Sequence, residues 1–285
     1  MVSSPASPTI SLSLRPSFLT RIGSLFSAAA WSGISEIDVD LSDGRLHNAA
    51  SLARHAADAN VSIRAIWLPE RDPRQHGKQR TELPNIIASL ADAVSPVTII
   101  VDRPTDRADV HQADLIKALR SVLPKTTSLV YVIRPVALLG TREHLTELTA
   151  LRHMAEEWDL GLALDLHGPI DARWEAEAAV TKLRSRLVAV RFGPLTSRPP
   201  GRGRERATAR VLSTLADSMY DGVIAISPQV PRYRLPTGRA LADSCLETMK
   251  FVQSRFSLLQ SSLPTRIEYE SWHPNETQRD GPSWR

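Results

Sequence analysis

Short apolar runs alternate with amphipathic stretches along nearly the whole chain. Eight runs read as strands: 8–15 (PTISLSLR), 34–41, 61–68, 97–102, 128–134, 160–167, 187–192 and 222–227. Between and after them, apolar residues recur at helical spacing over about 17–32, 46–59, 82–94, 109–122, 142–158, 172–184, 205–219 and 237–259. In the first of these, Phe18, Ile22, Leu25, Phe26 and Ala29 share a face, and Gly33 ends the helix. Thr141 is placed to cap the fifth, with Glu143 and Glu147 in its opening turns. Seven of the strands stop on, or within two residues of, a proline: Pro16, Pro69, Pro104, Pro135, Pro169, Pro194 and Pro228. Proline has no ladder N–H, so each marks a strand end. The exception, 35–44, ends on an Asp-Gly turn signal.

Strict β/α alternation implies parallel strands joined by right-handed crossovers. Segments such as TIIV, LVYVI and VIAI are apolar throughout, as expected of strands buried on both faces. Eight β/α units in 285 residues match one (β/α)8 TIM barrel over 1–260, followed by a short, flexible, polar C-terminal tail over 261–285. A doubly wound open sheet is the runner-up. It is disfavoured because no glycine-rich phosphate loop follows an early strand.

Composition narrows the picture further. An apolar share of 42% and a charged share of 23% are those of a globular protein. The net charge of +4 is compatible with an anionic ligand and is weak support for nucleic acid. The lone cysteine, Cys245, excludes an intramolecular disulfide and a cysteine-based zinc site, and its helical setting reads as a buried, inert thiol. The N-terminus lacks the pattern of a signal peptide, and no apolar stretch is long enough to span a membrane. The expected location is the cytoplasm, and the oligomeric state stays open.

In a TIM barrel the active site sits at the C-terminal ends of the strands. The polar residues expected there are Arg15, Asp38 or Asp40, Glu70, Asp102, Arg103, Arg134, Asp165, His167, Arg191, Ser227 and Gln229. Asp165 and His167 lie two apart and share a face, as do Asp38 and Asp40. Six other histidines, at 47, 55, 76, 111, 144 and 153, sit on expected helices or loops and read as structural. Trp67 reads as core packing before sugar stacking. A charged loop over 70–81 follows the third strand, and a Pro/Gly/Arg loop over 196–206 follows the seventh.

Three segments resemble the xylose-isomerase-like TIM barrels, which include sugar isomerases, epimerases and an apurinic-endonuclease branch. GISEIDVDLS (33–42) resembles that family's early glycine-aromatic-x-x-hydrophobic-Glu strand. LGLALDLHGPIDARWEA (160–176) resembles its sixth strand, and PTGRALADSCLETMKFVQSRF (236–256) its closing helix. The resemblance implies a divalent metal held by a Glu on strand five, an Asp and a nearby His on strand six, a His on strand seven and a Glu on strand eight. Asp165 matches the strand-six carboxylate, and His167 stands at D-x-H where the family has D-x-x-H. Arg134, Arg191 and Ser227 occupy the other three positions. Arginine does not ligate metals, and two guanidinium groups repel a cation. The expectation is therefore a degenerate metal site, with a divalent ion disfavoured and no other cofactor.

The arginines have a constructive reading as well. Arg15, Arg134 and Arg191 can ring the mouth and bind a carboxylate or phosphate, with Asp40, Asp102 and Ser227 completing the substrate-binding set. His167 and Asp165 are then the catalytic candidates, His167 as the acid/base with Asp165 or Asp102 orienting it or serving as the second base, and loop 196–206 is a candidate lid. The competing reading is a buried ion-pair network, Arg134 and Arg191 with Asp165, Asp102 and Asp38, that plugs the barrel top without catalysis. Three functions remain open: an isomerase or epimerase acting on an anionic sugar or sugar acid; a non-catalytic ligand- or partner-binding barrel; and a nucleic-acid-acting relative of the endonuclease branch, supported only by the basic loop.

Overall fold

The computed structural model describes residues 8–15, 22–41, 49–68, 87–94, 97–102, 117–125, 127–133, 141–166, 176–193, 203–228, 239–240, 242–247, 250 and 252. Eight parallel strands form a closed barrel in sequence order. They are β1 (Thr9–Leu14), β2 (Glu36–Asp40), β3 (Ser62–Trp67), β4 (Thr98–Asp102), β5 (Ser128–Ile133), β6 (Gly161–Leu166), β7 (Leu187–Phe192) and β8 (Val223–Ile226). The ring closes where β1 meets β8, with Ser11 opposite Ala225. Helices Ile22–Trp31, Ala49–Asp58, Thr141–Glu157, Ala176–Leu183 and Gly203–Asp217 occupy connections between strands, as the hydrophobic periodicity predicts. Further helical residues lie at 87–93, 117–122 and within 239–252. The doubly wound alternative is thereby excluded. The tail 261–285 and the loops 70–81 and 196–206 fall outside the described residues.

Alternation along each strand divides the interior into two apolar layers. Leu12, Leu14, Ile37, Val39, Ile66, Ile99, Leu164, Val190 and Ile224 belong to the larger core shared with the helices. Ala65, Trp67, Ile100, Val130, Ala163, Ala189 and Ala225 form the smaller cluster, within the barrel. Four of these seven are alanines, and the reason is volume. Trp67 and Arg191 are among the largest fully buried side chains in the protein, and small neighbours leave them room at interior packing density.

Two register shifts set the phase of the lumen. Ile37 pairs with Ile63 but Asp38 pairs with Ala65, so Arg64 is an extra residue in β3. Leu162 pairs with Leu187 but Ala163 with Ala189, so Val188 is extra in β7. A bulge flips the side-chain phase beyond it. Ile63 therefore joins the outer core, while Ala65 joins the inner cluster.

The helix-to-strand turns repeat one device. Gly33, Asn60, Asp159 and Met219 all have positive φ, at 76°, 53°, 47° and 49°. At each, the residue's own N–H donates three residues back, and the next N–H donates five back: Gly33 to Ala30 and Ile34 to Ala29, and correspondingly at Asn60, Asp159 and Met219. This pair of bonds is the Schellman motif. The residue after each turn, Ile34, Val61, Leu160 or Tyr220, is buried and anchors the following strand. The first helix also ties to the last, since Ser32 Oγ donates to the Ala242 carbonyl at 2.7 Å.

Candidate functional site

Polar residues enter the barrel mainly from β1, β2, β3, β6 and β7. Ser11 and Ser13 of β1 alternate with outward leucines, and Asp38 and Asp40 of β2 alternate with Ile37 and Val39. Parallel pairing sets Asp40 beside Trp67 and Asp165 beside Arg191. These placements bring three carboxylates and three guanidinium groups together in one network.

Asp38 is fully buried and saturated with donors. Arg64 Nη2 lies 2.5 and 2.6 Å from its two oxygens, Ser11 Oγ donates at 2.9 Å and Trp67 Nε1 at 3.0 Å. Asp40 bridges two cations through Oδ2. Arg15 donates from Nε at 2.9 Å, and Arg191 Nη1 stands 2.9 Å away as an ion pair without hydrogen-bond alignment. Asp165 holds the opposite side of Arg191, accepting from Nε at 3.0 Å and from Nη2 at 2.5 Å. Arg191 thus reaches from β7 to Asp40 on β2 while β8 and β1 lie between them in the strand order. Its guanidinium carbon sits 4.0 Å from the centre of the Trp67 ring, a cation–π contact.

Burial opposes the Arg191 charge. The carboxylates outweigh it, Asp165 first and then Asp40 and Asp38, and raise its pKa above the ordinary value. With 1% of its side chain accessible, Arg191 is a permanently charged group enclosed by the protein. Arg15 differs, since 43% of its side chain is accessible while Asp40 anchors one edge.

Among the site residues expected from the sequence, the structure joins Arg15, Asp40, Asp165 and Arg191. Ser227 is buried at the end of β8, its N–H donating to the Phe192 carbonyl at 3.1 Å. Asp102 closes β4 with its backbone opposite Val132; its side chain lies outside the described residues. Arg134 and His167 also lie outside them. Asp38, the other aspartate expected on β2, joins the network too, and two participants are additions: Ser11 and Arg64. Arg64 sits near the middle of β3, away from the strand ends.

A divalent ion does not fit the donors among the described residues. Among the described residues, no group of three or more His, Cys, Asp and Glu side chains is arranged to hold a metal. Both Asp165 oxygens are taken by Arg191, the β7 position is that arginine, and the β8 position is Ser227.

No family model and no curated protein matches the sequence. Solved structures do match in shape. A D-psicose 3-epimerase from Clostridium cellulolyticum H10, with D-tagatose, aligns with a TM-score of 0.61 at 12% identity, covering 87% of this chain and 99% of that one. The chain shares the TIM-barrel fold of this epimerase. An L-ribulose 3-epimerase aligns at a TM-score of 0.59 and 12% identity, covering 93% of this chain and 99% of that one. A 3-keto-D-glucoside 4-epimerase from E. coli aligns at 0.55 and 12%, covering 87% and 100%. At such identity the likeness is one of fold. Among the described residues, no helix is long and apolar enough to cross a membrane.

Proposed function

We propose that this protein is a sugar isomerase- or epimerase-type barrel that binds a small anionic sugar or sugar acid at the C-terminal mouth without a divalent metal. The observation that carries this reading is the Arg191 bridge between Asp165 and Asp40. A cation permanently occupies the position from which the family resemblance expects a metal ligand. The sugar-epimerase neighbours in shape support the ligand class.

In this reading Arg15 is the residue that meets the ligand. Its side chain is partly accessible while Asp40 fixes its orientation, and a planar guanidinium suits a carboxylate or phosphate. Arg134 and Ser227 complete the binding set. Asp102 is assigned the role of orienting His167, which serves as the acid/base if the site turns over. Asp165 acts as a positioning residue for Arg191, since both of its oxygens are engaged.

A second reading, a binding barrel without turnover, draws on that same engagement of Asp165. One experiment separates the two. Purified protein is screened by thermal shift against sugar phosphates and sugar acids, and ketose epimerisation is followed by NMR in deuterated water. Stabilisation by anionic sugars that Arg15→Ala abolishes supports the ligand site. Solvent deuterium entering the sugar, lost in His167→Gln, supports turnover. Stabilisation without exchange favours the binding barrel, and no response to any anionic sugar refutes both.

A further inference from the structure

The opposite end of the barrel holds a cavity that the candidate site does not use. It opens at the N-terminal mouth under β4, β5, β6 and β7 and has a volume of about 670 Å³. That volume is in the range of small-molecule sites. Thr98, Ser128 and Gly161, the first residues of three strands, form part of its wall. Gly161 keeps the wall low, because a Cβ there would come within 2.9 Å of a Val188 methyl.

Three cations line the cavity, Arg120, Lys125 and Arg186, against one carboxylate, Asp159. The two arginines are held in position. Arg186 Nη1 pairs with Asp159 Oδ1 at 2.9 Å, and Arg120 Nη2 donates to the carbonyls of Trp158 and Asp159. These contacts leave other guanidinium N–H groups available. Thr127 Oγ1 adds an independent sign. Thr127 belongs to the lining, and its Oγ1 is shielded from solvent with no hydrogen-bond partner among the described residues. Such a hydroxyl costs stability unless something pairs with it.

We propose that this cavity is a second ligand site, one that takes the phosphomonoester end of a small metabolite. The excess of two positive charges matches the charge of about −2 that a phosphomonoester carries near neutral pH. Fixed guanidinium forks and hydroxyl donors suit its oxygens. The site is separate from the C-terminal mouth, and occupancy there bridges the starts of four strands.

Hydrogen exchange with inorganic phosphate as the probe, at constant ionic strength, tests this on wild type, Lys125→Glu and Thr127→Val. Phosphate is expected to protect amides in 123–128 and 159–161. Lys125→Glu is expected to weaken the apparent affinity by about tenfold or more, as loss of a charge-assisted contact implies. Thr127→Val, which preserves shape, is expected to weaken binding while leaving the melting temperature unchanged or higher. Protection confined to other segments, absence of protection, or undiminished affinity in Lys125→Glu overturns the proposal.

Discussion

Replacing Arg191 by methionine removes the only cation that spans the lumen in the described network. Asp165, almost fully buried, loses donors to both of its oxygens, while Asp40 keeps Arg15. Breaking a buried pair by deleting one partner costs about 3–5 kcal/mol, because the remaining buried charge loses its compensating cation. The Trp67 contact is lost as well, but methionine still covers the ring, so little is added. Against a total stability of about 5–15 kcal/mol for a domain, this is a large fraction. The assay is equilibrium urea unfolding of wild type, Arg191→Met, Asp165→Asn and the double variant. Each single change is expected to lower the midpoint. The double variant is expected to recover much of the loss, since an apolar or neutral replacement for a buried ion pair is often near neutral. A single variant within about 1 kcal/mol of wild type, or one more stable, refutes the plug. It would place Arg191 among residues held under electrostatic strain for function.

Other consequences are simpler to state. Met219 is exposed yet held at positive φ, so Met219→Gly is expected to stabilise by about 0.5–1 kcal/mol, the left-handed penalty exceeding the entropy cost of glycine; a lower melting temperature contradicts this. Gly161→Ala brings a Cβ to 2.9 Å from Val188 and 3.0 Å from Val130, so it is expected to cost about 1–3 kcal/mol in urea unfolding. Burial pushes the Cys245 thiol from 9.0 up to about 12. The thiol's contribution to stability is therefore complete below pH 9 and lost as pH rises toward about 12, and native protein should resist thiol reagents at neutral pH until urea unfolds it. Arg15→Ala is expected to change stability by less than about 1 kcal/mol, because the pair is partly exposed, while abolishing the thermal shift from anionic sugars.

Much of the architecture is legible in the chain because its signals are local. Strand-ending prolines and 3.6-residue periodicity place all eight strands to within a few residues, and β1 and β2 display their inward serines and aspartates by simple alternation. The site is legible only in part. Asp165 and Arg191 emerge from the rim rule, and their pairing follows from neighbouring strands in register. Arg64 does not emerge, because its inward position depends on a bulge created by pairing between β2 and β3, which no local pattern encodes. Arg191 reads from sequence either as a ligand-facing cation or as part of a buried ion-pair network; its length lets it cross to Asp40, so it is enclosed and paired. The left-handed caps divide in the same way. Gly33 announces itself, whereas Met219 adopts the conformation only because burial of Tyr220 outweighs the local preference.

The central claim is that an arginine-bridged network stands in the place of a metal. Elemental analysis of protein purified with manganese, cobalt and magnesium supplied, then dialysed without chelator, addresses it most directly. Far less than one equivalent of any divalent metal per chain is expected. One equivalent of a single metal per chain, lost in Asp165→Asn, would contradict it.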